Sequence, residues 1–287
     1  MDDVPENIVL EYEKDLRLFT HYLEENNKNY SFEIKLNLIK TLILPLIFFL
    51  FLQPCYALNN EEIQKFQTLL KSKPMGERIA FWAEKFIGVP YDIDPLGEYV
   101  SKVTIIADER VDCMYLTFRA VELALSQTPE EAIQIALEKR FHSKGVLKDG
   151  QVENYEDRFE YGEDMIESGK WGKEVTSEIG TMRKIKGSRG KDFVDTLLSD
   201  ELMKNMERLK SGDIIFFTTK PEKRKVGEII GHIGIIKVEK RPSDPRTSEV
   251  YLIHASGIKG RGGVVKKMLL KDYLSKMPFI GVKITRF

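Results

Sequence analysis

The sequence predicts an α+β fold: a helical first part, a middle helical section, and a C-terminal antiparallel β-sheet or small barrel. Two observations carry this. Apolar residues recur at three- and four-residue spacings through Ile63, Phe66, Leu69 and Leu70, through Ile79, Trp82, Ala83 and Phe86, and through Leu116, Ala120, Leu123 and Ala124. From Leu209 the pattern becomes that of strands, in Ile214–Phe217, Gly231–Val238, Glu249–Ala255, Val264-Val265 and Ile280–Ile284, with turn residues between them.

Bulk composition narrows the function. The chain has 287 residues, room for one large domain or two smaller ones. Net charge is −1 and no long basic run occurs, which argues against a phosphate-tracking nucleic-acid binder. The two cysteines, Cys55 and Cys113, cannot build a disulfide framework. CxxC and HExxH are both absent, so the common zinc signatures are missing and no cofactor is implied.

Residues 1–35 read as an acidic N-terminal extension. Residues 36–57 read as a signal peptide or membrane anchor: Lys35 and Lys40 precede the apolar run Leu42–Leu52, and small residues Cys55 and Ala57 stand where a cleavage site needs them. A signal normally begins a chain, so the stretch is either a leader behind a misplaced start or an uncleaved anchor through 36–52. Both imply a periplasmic or secreted protein that meets the membrane only through this segment.

One domain is then expected over 58–128, resuming at 209–287. Helices are expected over Glu61–Lys71 and Gly76–Phe86, the second stopped by Gly88 with Pro90 behind it. Val100–Ile106 reads as a strand. Thr128-Pro129-Glu130-Glu131 opens a further helix as a capping box with proline at the first helical position. Residues 129–208 read as a helical insertion. Within it, one amphipathic helix carries Arg158, Tyr161 and Met165, Arg183–Lys191 is a solvated loop, and a helix runs over Asp192–Leu209.

Cys113 opens an apolar helix just after Asp112, a residue type that caps helices. The positive end of a helix dipole favours the thiolate, which is the nucleophile. Far downstream, His232 and His254 lie on two strands joined by a loop. In a symmetrical hairpin without a bulge, Val238 opposes Ser248 and His232 opposes His254, which puts their Cβ atoms about 5 Å apart on one face. A thiol, an imidazole base and a second polar group that orients the base are what nucleophilic attack on an amide requires. Lys259 and Arg261, in the glycine-rich turn Gly257–Gly263, read as a solvated hairpin tip.

These segments carry a family resemblance. Asp112-Cys113, Gly212–Phe217, His232-Ile233-Gly234-Ile235 and Ile253-His254-Ala255-Ser256, with Gly88-Val89-Pro90-Tyr91 upstream, resemble in order the signatures of the NlpC-type papain-like cell-wall cysteine peptidases. The middle section most resembles the bacterial N-acetylmuramoyl-L-alanine amidase-like family, with Glu160 standing where that pattern has a histidine. The resemblance implies a papain-like core, Cys113 as nucleophile, His232 as base and His254 as orienting residue. It implies Tyr91 beside the oxyanion position and a peptidoglycan or muropeptide substrate. Asp112, Arg158 and Tyr161 are further candidates for substrate contact. The bond cleaved is expected to be muramoyl lactyl–L-Ala, with the γ-D-glutamyl–diamino acid link as the alternative. A zinc hydrolase using Cys113, His232 and His254 as ligands, and a wall-binding module with a relict site, are the rival classes.

Overall fold

The computed structural model describes residues 58–241 and 244–287. The extension and the leader or anchor therefore lie outside the described residues. Among the described residues, no helix is long and apolar enough to cross a membrane.

The chain begins with α1 (Asn60–Leu70) and α2 (Met75–Lys85), close to the expected bounds. Asn59 and Glu62 form a reciprocal capping box at the start of α1. Past α2 the chain reaches Gly88 at φ +90°, a left-handed turn that suits glycine. The strand expected at Val100–Ile106 is not one. Gly97 turns the chain, α3 (Glu98–Ser101) follows, and Val103 takes a positive φ. The β-branched residues of that stretch resemble a strand in composition, yet Ile105 is spent on the core instead.

Helix α4 (Cys113–Leu125) is buried nearly all round from Tyr115 to Ala124. An apolar helix without a polar face belongs inside. Its charged residues are matched there: Arg119 pairs with Asp108 at 3.0 Å and Glu122 with Arg140 at 2.6 Å. The Tyr115 hydroxyl also donates to Asp108 at 2.7 Å. Buried pairs add little net stability against an apolar core, but losing one partner strands the other, so they hold α4 in one position. Next comes α5 (Pro129–Lys139), capped by the Thr128 side chain on Glu131 N–H.

The middle section departs from expectation. After the small hairpin β1 (Leu147–Lys148) and β2 (Gln151–Val152), the amphipathic stretch divides into a 3₁₀ turn at Tyr155–Asp157 and α6 (Gly162–Ser168), which ends at Gly169 in the left-handed region. Then come β3 (Lys173–Glu174), α7 (Thr176–Ile179), β4 (Met182–Lys186), β5 (Phe193–Leu198) and α8 (Ser199–Lys204). The expected loop and the first third of the expected helix are thus a β-hairpin, while α8 falls within the expected helix. β4 lies at the sheet edge with Arg183, Lys184 and Lys186 exposed, and edge strands commonly carry such charge. That charge is what made it read as a loop.

The C-terminal strands are β6 (Ile214–Thr219), β7 (Ile230–Arg241), β8 (Asp244–Ile258), β9 (Gly262–Leu269) and β10 (Phe279–Arg286), with α9 (Leu270–Lys276) between the last two. The sheet runs β4-β5-β10-β6-β7-β8-β9 with β3 beside β10, and its pairings are antiparallel. Both faces are covered. Ile214, Phe216, Ile233, Ile235 and Ile253 pack with α4 and its neighbours. Ile215, Phe217, Ile236 and Leu252 pack with Leu270, Tyr273 and Leu274 of α9. A strand buried on two faces reads as an unbroken apolar run, as Ile214–Phe217 does.

Candidate active site

Asp112 is the N-cap of α4, its carboxylate accepting the Tyr115 N–H at 2.8 Å, and Cys113 is the first helical residue. A helix leaves its first N–H groups without internal acceptors, so those of Cys113 and Met114 stay available beside the sulfur. Cys113 is half-buried.

The expectation that the helix dipole alone would favour the thiolate is corrected by tertiary packing. Desolvation, and then the Asp112 carboxylate next door, push the Cys113 thiol up to about 12. The backbone N–H of Ile233 and the Lys259 ammonium pull the other way without overcoming them. Cys113 packs against the same core as Ile233, the residue that follows His232 on β7. The β7–β8 ladder ends at Ile235–Ile253, so the strands part there and the Ile233 N–H is free of β8.

The two imidazoles meet, but not in the expected register. Ile235 pairs with Ile253 and Val238 with Val250, two residues away from the symmetrical ladder. An irregularity near the hairpin end, between Lys240 and Arg241, causes the shift. Gly234 therefore stands against His254, where an added Cβ would come 3.3 Å from the His254 Cβ. Because the shift is even, His232 and His254 still share a face. They reach one another diagonally: His232 Nε2 and His254 Nδ1 are 2.8 Å apart, with the rings nearly perpendicular at 89°.

One proton lies between these two nitrogens. For His232 to accept a proton at Nδ1, its Nε2 must carry the hydrogen and donate to His254 Nδ1, which leaves the His254 hydrogen on Nε2. That nitrogen is buried with no partner among the described residues. Beside His254 a cleft of about 630 Å³ opens, lined among others by Gly88, Ser256, Val264, Lys266 and Tyr273. Tyr273 packs edge-on against His254 at 4.8 Å, and Phe279 stacks on His232 at 6.4 Å. Burial lowers both imidazoles, His232 to about 3 with help from His254, and His254 to about 4 with help from the Lys266 cation. The resting site therefore holds a neutral thiol and two neutral rings.

Tyr91 bridges Val111, two residues before the nucleophile, and its N–H donates to the Gly263 carbonyl at 2.7 Å. Burial raises its phenol first, and the Cys113 charge adds to this, as expected of a neighbour. Asp112 meets Lys259 of the β8–β9 tip at 3.3 Å. Arg158 and Tyr161 each have a partner within the middle section. Arg158 pairs with Glu160 at 2.8 Å and donates to the Tyr155 carbonyl, while the Arg189 guanidinium covers the Tyr161 ring at 3.6 Å. Neither hydrogen-bonds the imidazole pair among the described residues. His142 lies edge-on to Phe159 at 4.5 Å, a packing role. Among the described residues, no group of three or more His, Cys, Asp or Glu side chains is arranged to hold a metal ion.

Neutral buried histidines tie stability to pH. Below the ordinary value of 6.5 the unfolded chain takes up protons that the folded chain refuses until far lower pH. Their contribution is thus complete above pH 6.5 and is lost as pH falls toward 4, at about 1.4 kcal/mol per pH unit for each proton. Asp112, whose carboxyl is raised by burial, titrates with the opposite sign. The comparison is therefore between variants: His254→Gln should flatten the decline in urea-unfolding free energy between pH 6.5 and 4.5 by about one proton's slope. Equal slopes would show that His254 is not held neutral.

No family model matches this sequence, and none of the curated proteins does. Solved structures do. An N-acetylmuramoyl-L-alanine amidase from Bacteroides uniformis superposes with a TM-score of 0.55 and 21% identity, covering 74% of this chain and 98% of its own. A Legionella pneumophila protein of the DUF1460 family gives a TM-score of 0.57 at 16% identity, over 78% of this chain and 93% of its own. A Bacteroides fragilis protein provisionally named a xylanase gives 0.53 at 21%, over 72% of this chain and the whole of its own. At these identities the likeness is one of fold: this chain shares an α+β architecture with all three.

Proposed function

We propose that the protein is a cysteine-dependent amide hydrolase of peptidoglycan, of the NlpC-type papain-like kind, cleaving between the muramoyl lactyl group and L-Ala. The observation that carries the reading is the hydrogen-bonded pair of His232 on β7 and His254 on β8, in the sheet against which the helix opened by Cys113 packs. The fold shared with a protein named for that amidase activity supports it.

In this mechanism His232 Nδ1 takes the thiol proton as sulfur attacks the lactyl carbonyl carbon, because a preformed thiolate is disfavoured. The carbonyl electrons move to oxygen, and the oxyanion is met by N–H groups at the start of α4, with Tyr91 alongside. His232 then gives its proton to the departing amino group of L-Ala, leaving a thioester on Cys113. Water, deprotonated by His232, attacks that thioester, and collapse frees the lactyl acid and returns the proton to the thiol. His254 keeps the His232 ring turned with Nδ1 toward sulfur throughout. The substrate lies outside the cytoplasmic membrane, so the proposal includes export through residues 36–57, as leader or anchor.

Digestion of purified muropeptides, read by fragment mass, tests this. The expected products are an intact stem peptide with a free L-Ala amino group and a lactyl acid on the glycan. Fragments broken after the γ-D-glutamyl residue would replace the amidase with the endopeptidase, and unchanged muropeptides would remove both.

A further inference from the structure

The tip of the β8–β9 hairpin folds back over the segment that leads to the nucleophile. Pro90 bridges Val264, Tyr91 N–H donates to the Gly263 carbonyl at 2.7 Å, and Gly260 N–H donates to the Ile93 carbonyl at 3.2 Å. The approach is close enough that a Cβ at Gly257 would fall 2.2 Å from the Tyr91 ring. From this tip Lys259 extends its ammonium to the Asp112 carboxylate at 3.3 Å and over the Tyr91 ring at 5.8 Å.

Capping α4 does not need a charge at position 112, because asparagine caps as well as aspartate. A carboxylate there works against a thiolate on the next residue. A cation placed against that carboxylate removes the opposition. Several groups bear on the thiol. They are Asp112 on its own helix, Tyr91 from the preceding segment, Tyr99 from α3, the Ile233 N–H from β7, Tyr273 from α9, and Lys259 from the hairpin. Of the charged ones acting on it, Asp112 opposes ionisation and Lys259 favours it.

We propose that Lys259 is a positioning residue for the nucleophile: its ion pair with Asp112, made across the hairpin–helix contact, cancels the carboxylate's field at Cys113 and pins the hairpin over Tyr91. The proposal deepens the reading of Cys113 as the reactive thiol and rests on it.

The test is alkylation of the full chain by iodoacetamide from pH 6 to 10, with peptide mass separating Cys113 from Cys55. It reads the thiol without turnover, so a failed muropeptide digest would sink the amidase reading and leave this result standing. Lys259→Met should shift the rate profile to higher pH by about one unit, about tenfold slower at pH 8. Lys259→Arg should keep the wild-type profile. In an Asp112→Asn background, where the cap survives and the charge does not, the ammonium loses the partner that holds it beside the thiol, so Lys259→Met should slow the rate by clearly less, about threefold at most. A Lys259→Met profile that overlays wild type overturns the proposal. So does an equal shift in both backgrounds, or a Lys259→Arg variant as slow as Lys259→Met. Thermal melting of each variant separates charge from folding: Lys259→Met, which leaves the buried Asp112 carboxylate without its cation, should melt somewhat below wild type, and the same substitution in the Asp112→Asn background, which strands no charge, should not add that loss.

Discussion

Cys113→Ala should abolish muropeptide hydrolysis, with initial rates falling by a factor on the order of 10⁵ to 10⁶, as when a catalytic nucleophile is removed. The fold should not explain the loss. Cys113 is the first residue of α4 and half-buried, so truncation to alanine opens little cavity, and alanine is the strongest helix former. The melting temperature should therefore stay near that of wild type. Cys113→Ser tests the same point from the other side. A hydroxyl is much harder to deprotonate than a thiol, and a ring held neutral to about pH 3 is a weak base, so serine should recover little. A Cys113→Ala rate within tenfold of wild type would mean that another group performs the attack.

Much of this site was legible in the sequence, because its parts are written in local patterns. The cap Asp112, the apolar period behind Cys113 and the period-two runs around His232 and His254 depend on neighbours a few residues away. The shared face of the two histidines survived a wrong register because side-chain direction in a strand depends only on parity, and the ladder slipped by an even step. The exact pairing was not legible, since the irregularity beside Arg241 has no sequence mark. Tyr273 was missed for another reason. Leu270, Tyr273 and Leu274 do show helical spacing, but over a seven-residue helix wedged between strands the signal is short.

The remaining differences come from tertiary packing. The helix dipole argues for an acidic Cys113, whereas desolvation by the whole fold pushes the thiol up. The Ile233 N–H cannot be seen in a sequence at all, since every residue but proline has one and only the parting of β7 from β8 frees it. Lys259 looked like a solvated tip because nothing near it in the chain is acidic; its partner Asp112 lies on a helix far upstream. β4 and β5 were hidden for a related reason. An edge strand faces solvent, so Arg183, Lys184 and Lys186 erase the apolar alternation by which strands are recognised.

His232→Gln should be nearly as damaging as loss of the thiol, lowering turnover by a factor on the order of 10⁴ or more. Its stronger signature is non-additivity. If the thiol and ring act as one unit, Cys113→Ala combined with His232→Gln should fall no further than Cys113→Ala alone, whereas independent contributions would multiply. His254 should divide by the kind of replacement. His254→Gln still offers a carbonyl oxygen to the His232 Nε2–H, keeps the base tautomer, and should cost about ten- to a hundredfold; His254→Ala removes that acceptor, lets the hydrogen settle on Nδ1, and should approach the loss seen for His232 itself. The pH profile carries the same logic. A base works when neutral, and burial holds His232 well below the ordinary 6.5, so kcat/KM should stay level as pH falls through 6.5 and decline only at lower pH. An acid limb at or above 6.5 would mean that the catalytic base is a solvated group and that His232 is not it.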